Sequence, residues 1–278
     1  MNLARCVCWG MPNMVGLFTI ASEFAEQASR FKTRAELAHG LDGCTRALGF
    51  RYFALLHHFD LRRKTSAMIH IDNYPPSWSE RFIGSRFFLD DPILRASLNT
   101  NIGFPWYDVA SLTHIGPRQR LIQEAAQRAG LESGFTVPAN IPGEAHGSCS
   151  FACGSSQPFP TDCMLAAQLV GSFAFQAARR ICCARAGLPL RLVELTPRQR
   201  DCLELVAQGK TDWEIGLILG LKEDSITKVV DAARRRYDVA NRVELVVAAL
   251  FDGQISFNVV RHWQYPLPLA LEGTALRR

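Results

Sequence analysis

The chain of 278 residues has no apolar run long enough to span a bilayer, no internal repeat and no low-complexity segment. A spanning helix needs roughly twenty consecutive apolar residues, so a helical membrane protein is excluded. Met1 to Val15 holds Arg5 and several apolar residues, but Pro12 and Asn13 interrupt it, and no signal peptide is read there. Charge of one sign is scarce as well: 31 Lys and Arg against 26 Asp and Glu leave a formal +5. Affinity for a polyanion would therefore have to come from the placement of cations rather than their total. The chain also lacks a glycine-rich phosphate loop and any nucleophile motif. His57, His58 and the cysteines could be assembled into a Cys–His site, but no pattern supports one, and the expectation is a protein that is not an enzyme. Nine cysteines, odd in number and scattered, point to a reducing, cytoplasmic compartment. Cys6 with Cys8, Cys149 with Cys153 and Cys182 with Cys183 have no second cluster and no histidine at finger spacing, so free thiols are expected, with no metal and no cofactor.

What is present suits two modest globular domains, with 48% hydrophobic and 21% charged residues. The most informative stretch is Leu195 to Leu250. Thr196 is a good N-cap and Pro197 occupies the first helical position, where its missing N–H costs nothing. Apolar residues recur at Cys202, Leu205 and Val206 before Gly209, a helix terminator. A short second helix starts at Thr211 and carries Trp213, Ile215, Ile218 and Leu219, and Gly220 marks a tight turn. A third helix from about Asp224 to Tyr237 buries Ile226, Val230, Ala233 and Tyr237 and turns Thr227, Lys228, Asp231, Arg234 and Arg235 outward. Two short helices joined by a glycine turn, the second locally basic, form a helix-turn-helix pattern. The stretch is not net basic, because Glu204, Asp212, Glu214, Glu223 and Asp224 offset its arginines. A fourth helix, capped by Asn241, presents Val243, Val246, Val247 and Leu250 for the small core or a dimer contact.

Leu195-Thr196-Pro197-Arg198, Val206 to Thr211, Glu214-Ile215, Leu219-Gly220, Ser225-Ile226, Tyr237-Asp238-Val239 and Asn241-Arg242 closely resemble the DNA-binding domain of LuxR-type transcription regulators. Two departures stand out: Gln199 where the family usually has Glu, and Val229 where many members have His. The first weakens a carboxylate interaction at a helix start. The second alters the recognition helix, which bears on the preferred base sequence rather than on the fold. The resemblance implies that Lys210, Thr211, Thr227, Lys228, Arg234 and Arg235 face DNA.

The preceding two-thirds mix helices with strands. Ser22 to Ala47 is helical in pattern; Phe53 to Leu56 and Ala67 to Ile71 read as strands around a turn at Asp60 to Lys64. Trp78 to Arg86 reads as a short helix, Ser133 to Ala139 and Ser148 to Cys153 as strands, and Thr161 to Cys182 as a long helix. The fold expected is α+β: an N-terminal α/β/α sandwich with an antiparallel sheet over residues 17–183, a linker at 184–192, an all-α four-helix helix-turn-helix domain at 193–256, and a tail at 257–278 containing Arg261-His262-Trp263.

Asn73-Tyr74-Pro75-Pro76-Ser77-Trp78, Phe82, Asp91-Pro92, Trp106 and Gly134 are similar in spacing to the autoinducer-binding domain of the same family. That resemblance implies an N-acyl-homoserine lactone as ligand. Trp78 would donate to the ring carbonyl, Asp91 would accept the amide N–H, Tyr74 would bond the acyl carbonyl, and Trp106 would pack on the ring. Thr136 and Ser150 would add polar contacts. Phe82, where the family usually has Tyr, would touch the chain, and Ala54, Leu56, Met68 and Leu94 would line its tunnel. His70 would contact a polar substituent or be an ordinary satisfied histidine. The chemistry is coherent on its own terms. A buried acyl-homoserine lactone presents one N–H and two carbonyls, each costing roughly 1–3 kcal/mol if left unpaired, and one carboxylate, one indole and one phenol meet them.

The resulting expectation is a cytoplasmic, ligand-responsive regulator binding operator DNA as a homodimer, with RNA polymerase as a further partner and no membrane association. Alternatives are the same architecture sensing a non-lactone molecule, and a phosphorylation-gated response regulator. The latter would need a strand-helix receiver with a phosphoacceptor Asp, an order that the first hundred residues do not show.

Overall fold

A computed structural model describes residues 14–58, 68–141, 144–186 and 193–256. The chain divides into two compact units, with the main boundary between Leu190 and Arg191. The expected turn at Asp60 to Lys64, most of the expected linker and the tail with Arg261-His262-Trp263 lie outside the described residues.

The first unit is built on a five-stranded antiparallel sheet: β1 (Tyr52–His57), β2 (His70–Asp72), β3 (Phe104–Pro105), β4 (Ser133–Ala139) and β5 (Gly147–Cys153), in the order β2-β1-β5-β4-β3. Alternate residues along a strand point to opposite faces, and both faces are covered here. Phe53 and Leu55 of β1, with Phe151 of β5, join a core made with α1 (Met14–Arg30), α2 (Arg34–Ala47) and α7 (Met164–Ala186). Ala166, Ala167, Ala174 and Ala178 of α7 are buried in that core, so small side chains bring the helix close to the sheet. Ala54 and Leu56 point the other way. They meet a layer that includes α3 (Pro76–Gly84), α4 (Pro92–Ser97), α5 (Val109–Leu112) and α6 (Pro117–Arg128). The antiparallel sandwich is therefore as expected.

Several boundaries differ for local reasons. The helix expected over Ser22 to Ala47 is two helices, and the first begins eight residues earlier, at Met14. Thr33 divides them: its Oγ1 accepts the Glu36 N–H at 3.2 Å, while Glu36 Oε2 accepts the Lys32 N–H at 2.8 Å, a side-chain cap that starts a new helix. The strand expected at Ala67 to Ile71 begins only at His70. It ends at Asp72; the next residue, Asn73, accepts the Phe53 N–H through Oδ1 at 2.7 Å and donates to Asp42 through Nδ2 at 2.7 Å, tying β1 to α2. The expected long helix opens as a 3-10 turn, Thr161–Cys163, and continues to Ala186, into the stretch expected as linker.

The second unit is four helices: α8 (Pro197–Ala207), α9 (Asp212–Leu219), α10 (Glu223–Tyr237) and α11 (Arg242–Phe251). Leu195, Cys202, Leu203, Val206, Ile215, Ile226, Val230, Ala233, Leu245 and Ala249 form its core. Thr196 and Asn241 cap α8 and α11 with their side chains, as the sequence implies, and Thr211, expected to start the second helix, caps α9. Gly220, at φ +66°, makes the left-handed turn between α9 and α10. Gly216 is also required, since a Cβ there would lie 2.7 Å from the Leu221 carbonyl oxygen.

Candidate functional site

Between the sheet and the layer of α3 to α6 lies a cavity of about 590 Å³, within the usual range of roughly 300–1,000 Å³ for small-molecule sites. Of the residues expected to hold a ligand, Ala54, Leu56, Tyr74, Trp78, Phe82, Asp91, Leu94, Trp106 and Ser150 line it. The resemblance thus collects side chains from β1, α3, α4, β5 and the segments after β2 and β3 into one space.

Each polar group has an identifiable state. Asp91 is the N-cap of α4: its Oδ1 accepts the N–H groups of Ile93 at 2.7 Å and Leu94 at 3.0 Å. The described bonds engage only this oxygen, so Oδ2 is the one available to a ligand. Burial pushes the carboxyl up to about 6, against the opposing pull of the two capping N–H groups. Trp78 is 5% exposed, packs against Phe82 and Phe87, and its indole N–H meets no acceptor among the described residues. Trp106 donates its indole N–H to Thr136 Oγ1 at 2.8 Å, Thr136 shares a 2.8 Å bond with Ser150 Oγ, and Ser150 bonds the Tyr74 phenol. Burial, then the nearby Asp72 and Asp91, hold the Tyr74 hydroxyl well above its ordinary value, keeping it a donor. Thr136 is fully buried beneath this relay and acts by fixing Trp106 and Ser150 instead of lining the cavity. Gly134 makes room for Trp106, because a Cβ there would lie 2.6 Å from the indole and 2.5 Å from the Phe151 carbonyl oxygen.

Met68 is a correction. It precedes β2, does not line the cavity, and its carbonyl accepts a bond from Arg34 Nη2 at 2.8 Å. The strand starts too late for Met68 to share the inward face of His70. His70 and Asp72 line the cavity instead, and neither Asp72 nor Ser79 was marked by any sequence pattern. His57 and His58 do not line it. His57 stacks edge-on against Phe175, and His58 bonds Ser148 at 2.9 Å and is pushed down to about 3 by burial and its histidine neighbours. The six described cysteines outside the masked segments, Cys44, Cys149, Cys153, Cys163, Cys182 and Cys202, are free and buried.

On the helical unit, the side chains expected at DNA divide into two groups. Lys228 and Arg235 of α10 are exposed. Arg234 turns back onto its own unit, paired with Asp231 at 3.0 Å and bonded to the Ala240 carbonyl, which corrects its expected outward face. Thr227 is exposed but donates to Asp212 at 2.7 Å, and Asp212 also pairs with Arg242 at 2.6 Å, joining α9, α10 and α11. Thr211 caps α9, and Lys210 lies 4.0 Å from Glu214. Gln199 fills the expected glutamate role geometrically: its Oε1 accepts the Thr196 N–H at 3.0 Å, completing a neutral capping box.

Of the fourth-helix residues expected at the small core or a dimer contact, Val246 and Leu250 pack against the core of their unit, whereas Val243 and Val247 are exposed. On α7, Phe175 is core, and Leu165 and Phe173 are exposed.

Residues 33–178 match the family described as autoinducer binding domain, and residues 193–249 match the family described as bacterial regulatory proteins, luxR family. The transcriptional activator protein VanR of Vibrio anguillarum is 27% identical over 234 residues, covering 83% of this chain and 95% of its own. The quorum sensing-dependent transcriptional regulator RpaR of Rhodopseudomonas palustris is 26% identical over 236 residues, covering 84% and 94%. Among solved structures, Escherichia coli SdiA superposes with a TM-score of 0.62 at 22% identity, covering 86% of this chain and 99% of that one. The cavity, the capped four-helix unit and these matches together place the chain in the LuxR family of bacterial transcription regulators, non-enzymatic proteins in which an autoinducer-binding domain is joined to a helix-turn-helix.

Proposed function

We propose that the protein is a cytoplasmic quorum-sensing regulator that buries an N-acyl-homoserine lactone and binds operator DNA as a homodimer. The observation carrying this reading is the set of groups around the cavity: the free carboxylate oxygen of Asp91, the unpartnered indole N–H of Trp78 and the phenol of Tyr74, set against the apolar wall of Ala54, Leu56, Phe82 and Leu94. One acceptor and two donors complement one amide N–H and two carbonyls. Ligand bound only by the folded state would stabilise it by about 2.7 kcal/mol at a hundred times Kd. The exposed apolar side chains of α7 and α11 support pairing of two copies, which would set two α10 helices about one DNA turn, ~34 Å, apart. RNA polymerase then fits as a further partner of the DNA-bound dimer. No helix among the described residues is long and apolar enough to cross a membrane.

Thermal-shift measurements across lactones of increasing chain length, with sedimentation of the complex on operator DNA, test the proposal. A length-dependent rise in melting temperature and two chains per operator are expected. No stabilisation by any lactone would refute the ligand, and one chain per full operator would refute the dimer.

A further inference from the structure

The cavity wall assigned to the acyl chain is not wholly apolar. In the β1–β2 pairing Ala54 stands opposite Asp72 and Leu56 opposite His70. Directly opposed residues in an antiparallel pair project to the same face, so Asp72 and His70 lie beside the two side chains that form the tail wall. Both Asp72 and His70 line the cavity. Their side chains are 19% and 22% exposed, too covered to be freely hydrated and too open to be sealed.

From this we infer that the acyl side of the cavity holds a receptor for a hydroxyl group, the Asp72 carboxylate, and that the preferred ligand bears a hydroxyl on its acyl chain. The inference rests on the lactone reading and sharpens it. Asp72 Oδ1 accepts the Tyr74 N–H at 3.2 Å and the Ser79 hydroxyl at 3.4 Å, and Oδ2 lies 2.9 Å from His70 Nε2. An ionised carboxylate offers about four acceptor sites, and these three neighbours leave one. The carboxylate has acceptors only, so its complement is a donor. A hydroxyl supplies one; a keto group presents a second acceptor and does not. A plain alkyl chain laid along Ala54 and Leu56 would strip the remaining water from Asp72 and return no hydrogen bond, which penalises that ligand. The bonds to His70 and Ser79 hold the carboxylate in place before the ligand arrives.

The competing explanation is that Asp72 and His70 merely clip the edge strand β2. Calorimetric titration of the full chain separates the two, using acyl-homoserine lactones of one chain length: unsubstituted, 3-hydroxy, 3-oxo and ω-hydroxy. The length is that bound best in the unsubstituted series. At least one hydroxylated ligand should bind about tenfold more tightly than the unsubstituted one, and the 3-oxo ligand should not. Asp72→Leu should reverse the order, favouring the unsubstituted chain, a gain that loss of a structural clip would not produce. If that variant fails to fold, Asp72→Asn should still reduce the hydroxyl preference to less than about threefold. Equal binding of unsubstituted and hydroxylated ligands by the wild type, or an unchanged preference in the Asp72 variants, would overturn this inference alone. Failure of every lactone to bind would remove the lactone reading together with it.

Discussion

In the sensor unit the decisive polar groups are buried: Asp91 is 8% exposed, Trp78 5%, Thr136 0%. On α10 of the helical unit the corresponding groups, Lys228 and Arg235, stand in solvent. A buried group must be satisfied in advance or by its ligand, because an unpaired polar atom in an apolar space costs free energy. An exposed cation is satisfied by water until a phosphate or base edge replaces it. The sensor accordingly invests in preorganisation, with the cap on Asp91 and the relay from Trp106 through Thr136 and Ser150 to Tyr74. The helical unit has a rigid frame, with Asp212 joining three helices and Arg234 braced to Asp231, and leaves Lys228 and Arg235 exposed.

The largest test of this contrast removes the frame. Leu203 is 1% exposed in the helical core, so Leu203→Ala should cost roughly 2–5 kcal/mol. Operator binding in a gel-shift titration should be lost while lactone still raises the melting temperature of the sensor unit. If ligand stabilisation vanishes too, the two units are not the separately cored bodies described here.

Next in size is the pH dependence of the empty sensor. Burial raises Asp91 from 3.8 to about 6, so the folded chain keeps a proton that the unfolded chain has already released. Stability from this group is full below pH 4, falls as pH rises through that window, and above pH 6 is lower by about 3 kcal/mol. Asp91→Asn, which preserves a good helix cap, should flatten the profile in denaturant titrations from pH 4 to 7. An equally steep loss in the variant would place the titrating group elsewhere.

How much of this could be read beforehand follows the same division. The helical unit is legible because its determinants are local: Thr196, Thr211 and Asn241 cap, Gly209 and Gly220 turn, and the apolar spacing does the rest. The inward turn of Arg234 is not legible, since it depends on the Ala240 carbonyl beyond the helix end. In the sensor, the family spacing finds Tyr74, Trp78, Asp91 and Trp106 and the strand pattern marks His70, but Asp72 emerges only from the β1–β2 register. Met68 is misplaced because β2 begins only at His70, two residues after it, so the strand alternation read from the sequence does not reach it. The break at Thr33 could have been found: Thr33 and Glu36 have the spacing of a capping box.

A smaller effect separates the two neighbouring arginines. Arg235→Ala should weaken operator binding by roughly 1–3 kcal/mol with little change in melting temperature. Arg234→Ala should instead lower stability, because it removes the brace to Asp231 and Ala240. Paired gel-shift and thermal measurements decide it; the reverse assignment would mean that Arg234, not Arg235, faces the DNA.

The most direct test of the cavity is a double-mutant cycle between Asp91 and the ligand amide, measured by calorimetry on the full chain. Asp91→Asn should weaken binding of an acyl-homoserine lactone by roughly 1.5–3 kcal/mol, the worth of a hydrogen bond to a charged acceptor. The same substitution should change little for a lactone whose amide nitrogen is methylated, since that ligand has no N–H to give. A coupling energy above about 1 kcal/mol is the predicted result. Equal losses for both ligands would contradict the account, showing that Asp91 serves only as the cap of α4 and that the amide is recognised elsewhere.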